Sequence, residues 1–409
     1  MRALAVLVLA AVLAGCSRQS AAPVALGPIT PLEFPATDSS LAPRLAAAPD
    51  GALLAIWFEK LPEGRRALKL ARFADGTWDS ARIVAESDSF FVNWADVPAL
   101  LAGEGGRLAI AYPWRSAADP YAYDVRVIQS SDGGATWSTP VTPHRDGTAT
   151  EHGFVSLAHE GNSLRAVWLD GRKSAEKAAH EGHGEHQADM TLRTAMIGAS
   201  GELAEEAVLD ERTCDCCPTS MIVTASGPVL AYRDRGTDEV RDFSVTRFVN
   251  GTWTAPVPLH ADGWKIEGCP VNGAALNGAG DHVVAAWYTE AGDRPMVYFA
   301  RSSDGGATFG PPIAVTDTST LGRADALTRD DGASLVSWIE KSEGTGRIMV
   351  RTISADGALG APTEIARTTT RRASGMPHMA RSGSQVVFVW TEAAEGQPTR
   401  VRSAAMEWR

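Results

Sequence analysis

Cysteine is the residue type whose placement in this sequence points most directly to chemistry. The 409 residues include five cysteines, and three of them, Cys214, Cys216 and Cys217, fall within the stretch "TCDCCPTSM". A fourth, Cys269, precedes a proline in "EGCPVNG", as Cys217 does in the first stretch. Thiols at this density suit disulfide bonds, a soft-metal site or redox exchange. All three hypotheses fit the sequence.

Histidines elsewhere in the chain could complete a metal site. His152 lies in "TEHGFV", and His378 lies in "GMPHMA" beside two methionines. Thiolate and imidazole ligands favour copper or zinc as the ion. The candidate ligands are Cys214, Cys216, Cys217, Cys269, His152 and His378.

A second histidine-rich stretch lies in "HEGHGEHQ". It places His180, His183 and His186 at three-residue spacing among glycines. This composition predicts either a loop that captures or transfers metal or an ordinary solvated polar loop.

The first sixteen residues, "MRALAVLVLAAVLAGC", indicate an exported protein. A positive charge at Arg2 precedes a short apolar run that ends in small residues, which is typical of a signal peptide. The end of this run resembles a bacterial lipobox, which implies that residues 1–15 are removed and that Cys16 is lipidated. Ser17 in the next position implies the outer membrane, on its periplasmic or surface side. Residues 16–26 are then a lipidated tether.

The charge balance limits the partners. The chain has 38 Lys and Arg against 49 Asp and Glu, a formal net charge of -11, and removal of Arg2 with the signal makes it more negative still. Such a surface disfavours nucleic acid and anionic lipid. We therefore predict membrane contact through the lipid on Cys16, and a small ligand or a protein as the other partner.

A repeat determines the predicted fold. One unit recurs seven times: an apolar stretch, a turn rich in Gly, Asp or Asn, and an alternating strand that ends in an aromatic residue. These aromatics recur at intervals of 51 to 64 residues. Two further strands follow in each unit, and four antiparallel strands per unit predict an all-β propeller blade. The seven aromatics are Trp57, Tyr112, Trp168, Tyr232, Trp287, Trp338 and Trp390.

We predict one propeller domain over residues 27–409. The seventh unit lacks its fourth strand, and "GPITPLEF" at residues 27–34 resembles the fourth strands of other units. Pairing this segment with the last unit would close the ring and remove both sheet edges. Seven blades are the preferred number, and six blades follow if one unit is misassigned.

The predicted topology brings the cysteines together. Pro218 and Pro270 mark the starts of the innermost strands of units four and five. Neighbouring blades place these starts side by side on one rim of the central channel. We therefore expect Cys214, Cys216, Cys217 and Cys269 to lie together at a channel mouth.

Two turns carry a more specific motif. The stretches "SSDGGATW" and "SSDGGATF" both fit Ser-x-Asp-x-Gly-x-Thr-aromatic, which resembles the Asp box (BNR repeat) of sialidases and related propellers. In that superfamily the box is structural, so the resemblance implies turn formation and packing between blades rather than catalysis by its aspartates. The matching residues are Ser130, Asp132, Gly134, Thr136, Trp137, Ser302, Asp304, Gly306, Thr308 and Phe309.

The same resemblance raises an enzymatic alternative, an exo-sialidase-like glycoside hydrolase with a diverged site. Sialidases use three arginines, a late tyrosine nucleophile paired with a glutamate, and an aspartic acid. Here the nearest match to the first arginine motif is "APRLA" around Arg44, and the last tyrosine is Tyr298. We therefore predict a non-catalytic lipoprotein whose cysteine-rich channel rim binds a soft metal, a ligand or a partner. Other arginines at predicted blade edges are Arg233, Arg323 and Arg371.

Overall fold

A computed structural model describes residues 25–175, 189–316 and 319–409. Cys16, the signal segment, most of the tether, and His180, His183 and His186 lie outside the described residues. Within the described ranges, none of the helices has the length and apolar character needed to cross a bilayer.

The described residues form seven antiparallel sheets, the blades of a β-propeller. Blade 1 consists of β2 (Ser40–Ala47), β3 (Leu53–Lys60), β4 (Arg66–Ala74), β5 (Thr77–Trp78) and β6 (Arg82–Ser87). Blade 2 consists of β7 (Ala99–Ala102), β8 (Leu108–Arg115) and β9 (Tyr123–Ser130). Blade 3 consists of β10 (His152–Glu160), β11 (Ser163–Asp170), β12 (Met190–Ile197) and β13 (Leu203–Thr213). Blade 4 consists of β14 (Ser220–Thr224), β15 (Gly227–Arg233), β16 (Phe243–Val249), β17 (Thr252–Trp253) and β18 (Val257–Pro258).

The remaining blades follow in chain order. Blade 5 consists of β19 (Ala275–Ala279), β20 (His282–Thr289), β21 (Met296–Ser302) and β22 (Ile313–Ala314). Blade 6 consists of β23 (Thr320–Thr328), β24 (Ser334–Ser342), β25 (Thr345–Ile353) and β26 (Thr363–Thr369). Blade 7 consists of β27 (His378–Ser382), β28 (Gln385–Glu392), β29 (Arg400–Glu407) and β1 (Thr30–Leu32). Three short 3-10 helices lie in connections: Glu104–Gly106, Ala291–Asp293 and Arg372–Ser374.

The ring closes as predicted, with seven blades. The N-terminal strand β1 pairs antiparallel with the last strand β29, and Pro31 lies opposite Ala404. Gly27 extends this pairing by donating a backbone hydrogen bond to Glu407 at 2.8 Å. In blade 2 the fourth strand is reduced to the bridge between Val127 and Val141. The prediction of a propeller closed by its N-terminal segment is confirmed, and the six-blade alternative is wrong.

The repeat aromatics hold the blades together. All seven are buried, and each packs in an apolar cluster between its own blade and the preceding one. Trp57, for example, packs with Val387 and Val401 of blade 7. Full burial of one such side chain stabilises the fold by about 2–3 kcal/mol. The phase of the aromatic in each unit therefore fixes how neighbouring blades pack.

The two Asp-box turns have the same internal bonds. Asp132 accepts hydrogen bonds from the amide of Thr136 at 2.9 Å and from its hydroxyl at 2.6 Å. Asp304 accepts the same pair of bonds from Thr308 at the same distances. Trp137 and Phe309 pack at the edges of interblade clusters. Because each aspartate accepts hydrogen bonds from within its own turn, its oxygens stabilise that turn.

Bulges redirect the starts of three innermost strands. The register shifts between Leu41 and Arg44 in β2 and at corresponding places in β10 and β23. At each bulge one residue other than glycine has positive φ: Ala42 at 55°, Phe154 at 55° and Arg323 at 54°. A bulge changes the direction in which the following side chain points. In blades 1 and 6 these side chains reach the central channel.

Candidate functional site at the channel mouth

One register position repeats around the channel. In each blade, one residue of the innermost strand pairs with the residue that immediately precedes the repeat aromatic. The seven residues defined in this way lie at the same level of the ring. In blade 1 this is Arg44, opposite Ile56. The seven residues are Arg44, Ala99, Ser156, Ser220, Ala275, Asp325 and His378. Three of the seven, Arg44, Asp325 and His378, are ionisable.

Those three residues share a pocket in the channel. Arg44, Asp325 and His378 line it together with Arg323 and the strand starts of blades 4 and 5. The pocket contains about 580 Å³ of empty space, including the part that is open to solvent.

The ionisable residues of the pocket are in contact. A guanidinium nitrogen of Arg44 lies 3.3 Å from Nε2 of His378, and Nδ1 of His378 lies 3.6 Å from Asp325. Burial and the Arg44 charge lower the pKa of His378, so its imidazole is neutral at pH 7. Burial alone would raise the pKa of Asp325, but hydrogen bonds from His378 and from the Met379 amide, with the charge of Arg44, outweigh it and lower that pKa. The pocket therefore carries an ionised carboxylate beside a guanidinium.

Arg323 adds a second guanidinium and is fixed by its surroundings. It donates to the carbonyl of Gly375 at 3.0 Å, and its own amide donates to Asn272 at 2.6 Å. The guanidinium lies 4.8 Å from the ring centroid of Trp94, a cation–π contact. Burial lowers the pKa of Arg323 to about 10, so it stays charged at neutral pH. Two arginines and one aspartate thus line this pocket.

The connection between blades 1 and 2 crosses the channel mouth. Trp94 and Ala95 pack in an apolar cluster with Phe154 of blade 3, Tyr232 of blade 4 and Met376 before blade 7. Val97, from the same connection, lines the pocket. Because this connection contacts blades on several sides of the ring, it covers part of the channel mouth. It also forms one wall of the pocket.

The four cysteines form two pairs beside this pocket. Cys216 and Cys269 are joined by a disulfide with a Cα separation of 6.0 Å, which connects the starts of blades 4 and 5. Cys214 and Cys217 are not bridged, and their sulfurs lie 2.7 Å apart. The sulfurs of Cys214, Cys216 and Cys217 all lie within 4.8 Å of one another. Pro218 follows the cluster directly and lines the pocket.

The two unbridged thiols have different environments. The side chain of Arg241 approaches Cys214, with 3.8 Å between its terminal nitrogen and the sulfur. Burial opposes ionisation of Cys214, but the bond from Cys217 and the charges of Arg233 and Arg241 outweigh it and lower its pKa. Burial and the neighbouring Cys214 raise the pKa of Cys217. Cys214 is therefore the more acidic thiol of the pair.

The histidines proposed as metal ligands lie away from the sulfurs. His152 is buried in blade 3, where its Nε2 lies 3.2 Å from Asp146 and 3.7 Å from Asp170. These carboxylates outweigh burial and raise the pKa of His152. His378 is in the channel pocket described above. Among the described residues, no histidine or carboxylate joins the three sulfurs within 4.8 Å.

His152 also belongs to a histidine pair. Its ring stacks on that of His144 with 3.8 Å between centroids and an interplanar angle of 5°. Asp124 lies 3.9 Å from His144 and 4.0 Å from His152. An ion shared by two imidazoles must lie near the plane of both rings, and two parallel stacked rings share no plane. The stack therefore favours an ion-pair network over a metal centre.

The tyrosines that could resemble a sialidase nucleophile are buried. Tyr123 donates to Glu151 at 2.8 Å, and Tyr232 donates to Asp210 at 2.5 Å. Burial together with nearby carboxylates raises the pKa of both phenols. No tyrosine of the described residues lines the channel pocket. Of the other candidate arginines, Arg233 is buried between blades 4 and 5 and Arg371 is exposed beside Glu395.

Sequence reasoning missed Asp325 and Trp94. Asp325 could have been found by aligning the seven units on their aromatics, because it occupies the same position as Arg44 and His378. Trp94 lies in a connection between repeats, so no periodic signal marks it.

Comparisons with known proteins give a fold and no family. No family model matches the chain, and no curated protein does. Solved structures match over most of its length. The BP39L lectin from Burkholderia pseudomallei has 11% identity and a TM-score of 0.61, covering 90% of this chain and 96% of the lectin. A polysaccharide lyase, an ulvan lyase bound to a sugar fragment, has 11% identity and a TM-score of 0.53, covering 92% and 94%. A NanB sialidase from Streptococcus pneumoniae has 10% identity and a TM-score of 0.48, covering 93% and 94%.

The seven blades make the chain a β-propeller, and its fold is similar to that of the lectin and of the ulvan lyase. At this level of identity these similarities concern the fold alone. The lectin and the lyase share one fold and differ in activity, so the residues of this chain must decide its function.

Proposed function

We propose that this chain is a lipid-anchored, non-catalytic propeller of the bacterial outer membrane that binds a small anionic ligand at its cysteine-flanked channel mouth. The observation that carries the proposal is the convergence of Arg44 and Arg323 in one pocket with a single carboxylate, Asp325. Two arginines and one aspartate make this pocket positive, although the chain as a whole is negative. A positive pocket on a negative protein attracts anions to that place.

The ligand class follows from the pocket chemistry. A guanidinium binds a carboxylate or sulfate through paired hydrogen bonds, and neutral His378 offers one more polar contact. Hydroxyl groups of a sugar could bond to Ser220, which also lines the pocket. Sugar acids and sulfated sugars are therefore the first ligands to test, a choice that the carbohydrate-related proteins of this fold also suggest.

Calorimetric titration of the full-length lipidated chain in detergent tests this proposal. Glucuronate, N-acetylneuraminate and a sulfated monosaccharide are the probes. At least one should bind, and Arg44→Gln should weaken its binding about tenfold or more because the paired bonds are lost. Arg367→Gln makes the same charge change at an exposed position in β26 and should bind like the wild type.

Two results would contradict the proposal. If none of the anions binds, the pocket is not an anion site. If a fluorogenic sialoside is hydrolysed, and if Arg44→Gln abolishes the hydrolysis, the sialidase-like alternative replaces the non-catalytic one. The buried positions of Tyr123 and Tyr232 support the expectation of no hydrolysis.

The anchor is tested separately. Cys16→Ser removes the thiol to which a lipid would attach, so the chain should move from the membrane fraction to the soluble periplasmic fraction. Metabolic labelling with a fatty acid should label the wild type and not this variant. Continued membrane association of Cys16→Ser without label would overturn the proposed anchor and leave the proposed ligand site unaffected.

A further inference from the structure

Cys214 and Cys217 form a buried sulfur pair that ligand binding at the channel mouth does not use. Their side chains are 0% and 1% exposed. The other two cysteines are joined to each other, so within the described part of the chain this pair has no other thiol to bond with. Two adjacent sulfurs in a water-excluded site are suited to a soft ion.

Two buried arginines lie next to the pair, Arg241 through its side chain and Arg233 through its backbone carbonyl. Arg233 and Arg241 are only 2% and 3% exposed. Arg233 donates to the carbonyls of Asn272, Arg241 and Tyr288, and none of the described carboxylates forms an ion pair with it. Arg241 bonds to Glu239 at 2.9 Å and directs another nitrogen toward Cys214, while its Nε has no hydrogen-bond partner. The buried positive charge here is larger than the negative charge of the carboxylates that pair with it. This excess favours binding of an anion.

We propose that Cys214 and Cys217 bind one Cu(I) ion as a two-coordinate dithiolate. Two thiols and Cu⁺ give a complex of net charge -1 and release two protons, with no change in oxidation state. The negative complex is stabilised by the buried guanidinium of Arg241, which lies 3.8 Å from the Cys214 sulfur. A second disulfide would be neutral and would leave the Arg241 charge facing neutral sulfur.

Copper(I) fits this ligand set better than zinc. Structural zinc needs four nitrogen or sulfur ligands, whereas the described residues supply two free thiols here and no histidine. Two collinear metal–sulfur bonds of about 2.3 Å require a sulfur separation of about 4.6 Å. The two sulfurs lie 2.7 Å apart in the metal-free structure, so binding requires them to separate by about 2 Å.

Transfer of Cu(I) from a coloured chelator tests the site. The purified full-length protein is titrated anaerobically against the Cu(I)–bicinchoninate complex, whose absorbance falls as copper leaves it. The wild type should take up one Cu(I) per chain, and X-ray absorption should show two sulfur ligands. Cys214→Ser and Cys217→Ser should each remove this uptake. The double variant Cys216→Ser/Cys269→Ser should keep it, because its changed cysteines are the bridged pair.

A charge test separates a metal site from simple loss of structure. Arg241→Met should weaken copper binding about tenfold or more, whereas Arg241→Lys, which keeps the charge, should recover most of it. Circular dichroism and melting temperature are measured for each variant. If a serine variant is unfolded, the two Arg241 variants decide the result.

Three outcomes would overturn the proposal. One is no transfer of copper to the wild type. Another is a Cys214–Cys217 disulfide found by peptide mass spectrometry in protein taken from the cell envelope under acid quench. The third is equal loss of copper in the bridged-pair double variant, which would place the ion elsewhere. None of these results depends on binding of the anionic ligand.

Discussion

At the scale of single residues, Asp96 and Glu151 are two buried carboxyl groups whose pKa is raised. Asp96 accepts a bond from the amide of Phe154 at 2.9 Å, and Glu151 accepts one from Tyr123 at 2.8 Å. Burial raises the pKa of each group to about 7. Gly153 leaves the necessary room, since a Cβ there would lie 2.0 Å from Asp96. These carboxyl groups hold protons in the folded chain that they lose in the unfolded one.

A pH dependence of stability follows. An unfolded aspartic acid has a pKa of about 3.9. Between that value and about 7, folded Asp96 retains its proton while unfolded Asp96 does not, so its contribution to stability is present at low pH and is lost as pH rises. Asp96→Asn should flatten this fall in the free energy of unfolding. Urea denaturation at pH 5 and pH 7.5 measures it, and Asp88→Asn, at an exposed position in the same connection, should keep the wild-type slope.

The disulfide acts at the scale of elements. It joins the segments that lead into β14 and β19, and its cysteines are 53 residues apart in the chain. A bridge that closes a loop of this length restricts the unfolded chain and is worth about 2–4 kcal/mol. It also fixes the two strand starts that form a wall of the channel pocket.

Cys269→Ser should therefore lower the melting temperature. The control is chemical: mild reductant should lower the melting temperature of the wild type toward that of the variant and leave the variant unchanged. Equal melting temperatures for the wild type and Cys269→Ser would mean that the bridge is absent in solution or contributes nothing to stability.

The strands and blades could be predicted from the repeated parts of the sequence. Features outside the repeat could not. Aromatics at a fixed phase of the second strand marked all seven blades, and the proline after Cys217 and after Cys269 placed both cysteines at neighbouring strand starts. The choice of Cys216 as the partner of Cys269 depends on local backbone direction, which spacing does not encode. His152 was placed with the sulfurs, but the carboxylates of Asp146 and Asp170 attract its imidazole within blade 3.

At the scale of the molecule, the channel site depends on ring closure. Arg44 comes from blade 1, Asp325 from blade 6 and His378 from blade 7, so the pocket exists only when the last blade meets the first. That meeting depends on β1, the first strand in chain order, which completes the final sheet. Chemistry at the channel mouth and closure of the ring are therefore coupled.

Deleting residues 26–34 should open the ring. The deletion removes β1, the bond from Gly27 to Glu407, and the buried ring of Phe34, which packs against Trp57 with 4.8 Å between ring centroids. Loss of one buried aromatic costs about 3–5 kcal/mol, and β29 becomes an unpaired edge that can pair with another chain. We expect a lower melting temperature, larger species in size-exclusion chromatography and weaker anion binding. Deletion of residues 17–24 shortens the tether by a similar length and should change none of these properties. If both deletions behave like the wild type, β1 does not hold the ring closed.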